Sequence, residues 1–166
     1  MNGKPVRVGI VVGSKSDLAV MGLCGEALDS YGIGWEIGVM SAHRAADTVR
    51  AYAHAARGRG LRVIVAGAGG AAHLPGVLAA MTTVPVIGVP LAATPLSGLD
   101  SLLSIVQMPA GIPVATVAVG EMGARNAGHL AALIIGLSDA DVDAAILRHR
   151  AAMRESVQLP EGFSGE

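Results

Sequence analysis

The sequence predicts an α/β fold: a three-layer αβα sandwich built on a doubly wound, five-stranded parallel sheet. Five short β-branched runs alternate with helical stretches, which is the pattern of strands joined by crossover helices. The runs are apolar along their whole length, as expected of strands that helices cover on both faces. Right-handed crossovers then complete the architecture, while the order of the strands stays open.

The predicted strands end at Gly, Ser or Pro, and each is followed by a helix or a turn. Strands are predicted at residues 6–12, 35–40, 62–66, 84–89 and 113–119. Helices are predicted after Asp17 to about Tyr31, and at residues 46–57, 74–81, 100–107 and 124–135. A last helix is expected to begin at a Ser138 cap, with Asp139 near its positive end, and to reach about Arg154.

The pattern predicts a single domain over residues 1–154. The tail, residues 155–166, is expected to be loose or draped over a neighbour, since it holds Pro160, Gly162 and Gly165. Hydrophobic residues make up 52% of the 166 residues and charged residues only 15%, against a usual value of about 25%. Such a chain is not disordered, and part of its apolar surface is expected to be buried between subunits.

Charge and cysteine content exclude several classes of protein. With 12 basic and 13 acidic residues, the net charge of -1 gives no reason to expect nucleic acid or an anionic membrane as a partner. No uninterrupted apolar run reaches the ~18–20 residues that a bilayer requires. We expect no signal peptide and a cytoplasmic location. Cys24, the only cysteine, excludes a disulfide framework and is expected to be a small buried residue.

Polar residues are concentrated in three loops that each follow a predicted strand. These loops read GSKSD, SAHR and GAGGAAH. Ligands of open parallel sheets bind beyond the carboxyl ends of the strands, so the loops mark a candidate site. In the first loop, hydroxyls and backbone N–H groups at a helix start suit phosphate, and Asp17 suits ribose hydroxyls. An ordinary helix cap by Ser16 or Asp17 is the alternative.

The second and third loops carry groups for proton transfer and close approach. Arg44 offers a planar charged fork to phosphate, and His43 can exchange protons near neutral pH. The stretch from Gly67 to Gly76 is nearly free of side chains, so its backbone can approach a ligand, although close packing of helix on sheet needs the same residues. His73 is either a second site residue or a structural one.

Other polar residues are given less weight. Asp100 is the lone charge between Arg62 and Glu121 and is interpreted as a helix cap, a wall of the site or a subunit contact. Three further histidines lie in helical stretches and are expected to be structural or exposed: His54, His129 and His149. No spacing typical of a metal site occurs, so no metal is predicted.

Five motifs follow one another along the chain: GSKSD, SAHR, AGAGGAAHLPG, PVIGVP and LSGLDSLLSIVQMPAGIPVATVAVG. Together they resemble the PurE family of purine biosynthesis, over about residues 6–135. Class I members are mutases that interconvert N5-carboxyaminoimidazole ribonucleotide (N5-CAIR) and 4-carboxy-5-aminoimidazole ribonucleotide (CAIR). Class II members carboxylate aminoimidazole ribonucleotide (AIR) directly with CO2. Arg rather than Lys after the histidine is similar to class I. The resemblance implies a flavodoxin-like fold, a homo-octamer and no cofactor.

The resemblance also implies roles for individual residues, which are carried over motif by motif. Substrate-binding positions correspond to Ser14, Asp17 and Arg44, with Ser16 and Ser41 in the same pocket. His43 corresponds to the catalytic histidine that shuttles a proton while CO2 is released and recaptured. His73 is similar to a second site histidine, and Gly69 and Gly70 to the loop around the transferred carboxylate. SAHRAAD replaces the usual SAHRTPD, and Leu18 of GSKSDL is expected to loosen a wall near the ribose.

Two other functions remain open from the sequence. One is the direct carboxylase of class II. The other is a non-catalytic module that binds a phospho-ligand or a flavin on the same fold. A flavin would require aromatic residues against its ring, and the chain has only Tyr31, Trp35, Tyr52 and Phe163.

Overall fold

The computed structural model describes residues 5–158, which form a five-stranded parallel sheet with helices on both faces. The strands are β1 Val6–Val12, β2 Gly34–Val39, β3 Val63–Gly69, β4 Val86–Leu91 and β5 Ala115–Thr116. The helices are α1 Leu18–Asp29, α2 Ala46–Ala56, α3 Leu74–Ala79, α4 Leu99–Val106, α5 Gly120–Gly136 and α6 Ala140–Glu155. The strand order is β2-β1-β3-β4-β5, and neighbouring strands pair in parallel. The predicted fold class is confirmed, and the order is that of a doubly wound sheet.

Two hydrophobic cores lie on opposite faces of the sheet. Successive residues of β1 alternate between them: Ile10 and Val12 face the first core, and Val11 faces the second. Helices α1, α5 and α6 close the first core, and helices α2, α3 and α4 close the second. Helices α1 and α5 come so close that a Cβ at Gly128 would lie 2.7 Å from the carbonyl oxygen of Cys24. Small residues at this contact therefore allow α1 and α5 to pack this closely over the first core.

Several element boundaries differ from the predictions. Strand β3 continues to Gly69, because Gly67, Ala68 and Gly69 pair with residues of β4. Strand β5 is reduced to two residues that pair with Ile87 and Gly88. Pro113, at the start of the predicted strand, has no N–H to donate to the ladder. Helix α5 also begins earlier than predicted, at Gly120, which takes φ +72° as the chain turns into the helix.

The predicted cap of the last helix is wrong by one residue. Asp139, rather than Ser138, accepts hydrogen bonds from the backbone N–H groups of Asp141 and Val142, both at 3.1 Å. Arg7 donates to the same carboxylate at 2.7 Å. The bond from Val142 and the bond from Arg7 lower the pKa of Asp139. The Ser138 hydroxyl instead accepts from Arg62 at 3.1 Å, so tertiary contacts to the sheet decided which side chain caps the helix.

Helix α6 ends at Glu155, one residue beyond the expected end. Most of the predicted tail, residues 159–166, lies outside the described residues, so its expected conformation stays a prediction. Within residues 5–158 no helix combines the length and apolarity needed to cross a bilayer.

Gly123, in the first turn of α5, is predicted to tolerate no side chain. A Cβ there would lie 1.7 Å from the carbonyl oxygen of Ala118, and this backbone atom cannot rotate away. We expect Gly123→Ala to lower the free energy of unfolding by about 1–3 kcal/mol. The matched control is Gly22→Ala in α1, where a Cβ meets nothing within 4 Å. That change should stabilise the protein by about 0.5–1 kcal/mol.

Urea unfolding followed by circular dichroism at one protein concentration measures both changes. Equal unfolding midpoints for Gly123→Ala and the unmodified chain would contradict the packing argument.

Candidate active site

The three polar loops meet around one cavity at the carboxyl edge of the sheet. They follow β1, β2 and β3, which are neighbours in the strand order. The cavity has a volume of about 200 Å³. Six of the predicted site residues line it: Ser14, Ser16, Asp17, Ser41, His43 and Gly69. It lies beside the point where the strand order reverses between β1 and β3, which is where open α/β sheets bind ligands.

The first loop presents two hydroxyls and a carboxylate to the cavity. Ser14 caps the short 3-10 turn Lys15–Asp17, because its oxygen accepts from the backbone N–H of Ser16 at 3.3 Å. The Ser16 hydroxyl lies 2.8 Å from the Ser14 oxygen and 3.2 Å from the Asp17 carboxylate. Asp17 stands at the N-cap of α1 but accepts no capping hydrogen bond. The structure therefore does not support the alternative expectation that Ser16 or Asp17 serves only as the cap of α1.

Arg44 connects the second loop to the first. Its guanidinium donates to the carbonyl oxygen of Gly13 at 3.2 Å, and its backbone N–H donates to the Ser41 hydroxyl at 3.3 Å. Arg44 is exposed and takes part in none of the ion pairs found within residues 5–158. Its other N–H groups remain available to an anion at the mouth of the cavity.

His43 and His73 form a hydrogen-bonded pair across two loops. The distance from Nε2 of His43 to Nδ1 of His73 is 2.8 Å, and the rings are nearly perpendicular at 87°. One of the two facing nitrogens must carry the proton of this bond. The sequence left His73 undecided between site and structure. The structure bonds it to His43, which lines the cavity, while His73 itself is not part of the lining.

The third loop forms an apolar wall. A Cβ at Gly69 would lie 2.5 Å from the Cβ of Ala93, so a glycine is needed where these two segments touch. Gly70 has φ +62°, a left-handed conformation that glycine adopts without strain. Ala93, which lines the same cavity, was not among the predicted residues. It follows β4, so the strand-end rule that identified the other loops also applies to it.

Asp100 lies beside this wall and is not the cap of α4, a position that Gly98 occupies. Its carboxylate accepts from the Thr94 hydroxyl at 2.6 Å and from the backbone N–H of Ser101 at 2.9 Å. The bond from Thr94 is the main cause of its lowered pKa. The cap interpretation was wrong because the loop after β4 folds back onto the helix.

The remaining candidates lie away from the cavity lining. His129 is bonded to the Tyr31 hydroxyl at 2.7 Å and stacks against His149, while His54 is exposed on α2. Burial, and after it the charges of His149 and Arg125, lower the pKa of His129. Burial raises the pKa of the Cys24 thiol to about 12, so Cys24 is not a nucleophile.

The model of the AIR carboxylase family matches residues 7–156. The chain belongs to this family. It is 55% identical over 152 residues to the N5-carboxyaminoimidazole ribonucleotide mutase of Vibrio vulnificus, covering 92% of this chain and 94% of that protein. It is 53% identical over 150 residues to the mutase of Pseudomonas aeruginosa, covering 90% and 92%. The crystal structure of Treponema denticola PurE superposes with a TM-score of 0.79 at 26% identity, covering 89% of this chain and 91% of that one.

Membership of the AIR carboxylase family confirms the resemblance stated from the sequence motifs. The expected effect of Leu18 finds no support, because Leu18 packs against the first core and is absent from the cavity lining. Among the residues that the structure describes, no group of three or more His, Cys, Asp or Glu is placed to hold a metal ion. The polar side chains that line the cavity are the hydroxyls of Ser14, Ser16 and Ser41, the Asp17 carboxylate and the His43 imidazole. Arg44 and His73 lie outside this lining and bond to Gly13 and His43, which belong to it.

Proposed function

We propose that this protein is an N5-carboxyaminoimidazole ribonucleotide mutase that converts N5-CAIR to CAIR in purine (IMP) biosynthesis. The observation that carries the proposal is the His43–His73 pair at the cavity that Ser14, Asp17 and Gly69 line. Relatives that share about half of its residues over nine-tenths of the chain bear the name of this mutase. The enzyme is an isomerase, since the carboxyl group moves within one molecule.

The first two loops supply the groups that a ribonucleotide requires. The substrate phosphate binds at the hydroxyls of Ser14 and Ser16 and at the guanidinium of Arg44, which can donate two parallel hydrogen bonds to it. The Asp17 carboxylate accepts hydrogen bonds from the ribose hydroxyls, because it is committed neither to the helix nor to an ion pair within residues 5–158. Ser41 completes the polar side of the cavity.

His43 moves one proton in each half of the reaction. It first donates a proton to the carbamate nitrogen as the N–C bond breaks, and the bonding electrons remain on nitrogen while CO2 leaves. The ring carbon C4 of the resulting aminoimidazole then attacks CO2, and a C–C bond forms. His43 finally takes the proton from C4, and the electron pair of the broken C4–H bond returns to the ring. One proton is given and one is taken, so the enzyme ends in its starting state.

The apolar wall retains CO2 between the two halves. The segment of the lining that faces the polar loops consists of Ala68, Gly69, Ala71, Leu74 and Ala93. None of these side chains can react with CO2 or hold a water molecule beside it. A small neutral molecule held next to C4 has a far higher effective concentration than in solution. The reaction involves no net oxidation and no proton that a histidine cannot carry, so we propose no cofactor and no metal.

The two alternatives are less well supported. Direct carboxylation is not favoured, since the relatives are named mutases and Arg44 follows the histidine as in class I. A flavin module would require aromatic rings at the cavity. Trp35 donates to Asp29 at 3.0 Å, Tyr31 bonds His129 and Tyr52 bonds Glu36 at 2.8 Å. None of these three rings lines the cavity.

We also propose a homo-octamer in the cytoplasm. Helix α4 carries a row of large apolar side chains that the described chain leaves about half exposed: Leu99, Leu103 and Val106, with Leu96 just before the helix. Their exposed fractions lie between 48% and 62%. Such a row is more apolar than a monomer surface requires, which supports a subunit interface. The cytoplasm is the compartment that fits, because a phosphorylated substrate does not cross a bilayer unaided.

The function is tested by the conversion of N5-CAIR to CAIR, followed by ultraviolet absorbance without ATP or metal. AIR with dilute bicarbonate should react far more slowly, and equal rates would identify a direct carboxylase.

His43→Asn should lower kcat by about 10²–10⁴-fold while substrate binding persists. His54→Asn, on the exposed face of α2, is the control and should keep full activity. Full activity of His43→Asn would remove this residue from the mechanism.

Arg44→Gln tests the phosphate site. Losing a charge-assisted hydrogen bond should raise the KM for N5-CAIR by about 10- to 100-fold with a smaller change in kcat. The control is Arg50→Gln, an exposed arginine on α2. An unchanged KM in steady-state kinetics would show that the phosphate binds elsewhere.

Light scattering after gel filtration tests the assembly. The expected mass is that of eight chains, and Leu103→Glu should give smaller species because a charge in an apolar interface is costly to bury. Ala51→Glu, on the exposed side of α2, should leave the mass unchanged. A single-chain mass for the unmodified protein would refute the octamer.

A further inference from the structure

Ser101 stands out as a polar side chain placed entirely inside the protein. Within residues 5–158 its side chain is fully buried, with 0% exposure. Its hydroxyl donates to the carbonyl oxygen of Leu91 at 2.7 Å and accepts from the backbone N–H of Gly70 at 3.0 Å. One hydroxyl thus joins α4, the end of β4 and the loop after β3.

The hydroxyl lies where the sheet ladder stops. The last paired residues of β3 and β4 are Gly69 and Leu91. In a continuing parallel ladder, the next amide, that of Gly70, could bond directly to the Leu91 carbonyl. The Ser101 hydroxyl stands between these two groups instead. The strand therefore ends, and Gly70 turns into its left-handed conformation with φ +62°.

Asp100 holds the adjoining segment of the same wall, which contains Ala93 and Thr94. Its carboxylate accepts from the Ser101 backbone N–H and from the Thr94 hydroxyl, at 2.9 Å and 2.6 Å. Thr94 is next to Ala93, which lines the cavity in contact with Gly69. Two adjacent residues of α4 thus hold both segments of the apolar wall. Neither Ser101 nor Asp100 lines the cavity itself.

We propose that Ser101 is a positioning residue that keeps the Gly69–Gly70 wall closed, so that CO2 is retained until C4 captures it. The inference rests on the proposed mutase function. Free CO2 is bound by no covalent bond between the two half-reactions, and only the shape of the wall retains it. Without the hydroxyl, the Gly70 amide loses the partner that holds it in place, and the loop shifts either toward the Leu91 carbonyl or toward water. CO2 then exchanges with solvent before the C–C bond forms.

The escape of CO2 into solvent is measured by running the reaction of N5-CAIR in ¹³C-bicarbonate and following the entry of label into the carboxyl group of the product. Carbonic anhydrase keeps the labelled CO2 and bicarbonate at equilibrium, and mass spectrometry gives the label in CAIR. Ser101→Ala should raise the labelled fraction about tenfold, while the KM changes little because the phosphate site is untouched. Ser104→Ala, in the same helix, is the control, since the Ser104 hydroxyl is not among the described groups that bond the glycine loop.

Hydrogen–deuterium exchange of the segment 66–74 reports on the wall without any turnover. It should be faster in Ser101→Ala than in Ser104→Ala. If the unmodified protein does not convert N5-CAIR, the proposed function fails. The hydrogen–deuterium exchange experiment still tests the positioning role of Ser101 in that case. If the unmodified protein is active and Ser101→Ala takes up no more label than Ser104→Ala, the inference alone is overturned.

A second pair of variants covers the case in which Ser101→Ala does not fold. Thr94→Val removes the bond to Asp100 on the other side of the wall and should also raise the labelled fraction. Thr94→Ser keeps the hydroxyl and should behave as the unmodified protein. Label uptake by Thr94→Val no higher than by Thr94→Ser would then overturn the inference.

Discussion

The parallel sheet is the constraint from which the rest of the structure follows. Because all five strands run in one direction, every loop after a strand emerges at one edge. Both faces must then be covered by helices, and the helices come very close. A Cβ at Gly67 would lie 2.6 Å from the sulfur of Met21, and one at Gly88 would lie 2.4 Å from Ile105. Glycines inside the strands thus allow close packing, and the glycines where β1 and β3 end line the candidate site.

The same architecture explains why the site has so few charged groups. The hydroxyls and the guanidinium that are proposed to bind the phosphate come from the loops after β1 and β2, which are neighbours in the sheet. The handling of a small neutral molecule needs a wall without reactive side chains, and that comes from the ends of β3 and β4. The two histidines lie where these halves meet. A polar half and an apolar half of one cavity correspond to the two ends of the proposed substrate.

Most of the fold could be predicted, because the apolar runs of buried strands and the residues that begin and end helices are local features of the sequence. The runs that are apolar along their whole length identified every strand. The loops that follow these runs contain most of the residues that line the cavity. The errors occurred where a distant residue competed with a local one. Asp139 rather than Ser138 caps α6, since Arg7 of β1 holds the carboxylate in place. Strand β5 shortened to two residues at the edge of the sheet, where only β4 is available as a partner.

By itself the sequence determined the fold class, the family and the edge of the sheet that carries the site, because these depend on residue pattern along the chain. Only the tertiary structure decided which groups touch. His43 and His73 are 30 residues apart, and Gly70 and Ser101 are 31 apart. Hydrogen bonds form only at distances of about 3 Å, and the crossings of the chain bring these pairs that close. No periodicity in the sequence encodes such a distance, whereas the packing of helices on the sheet sets it.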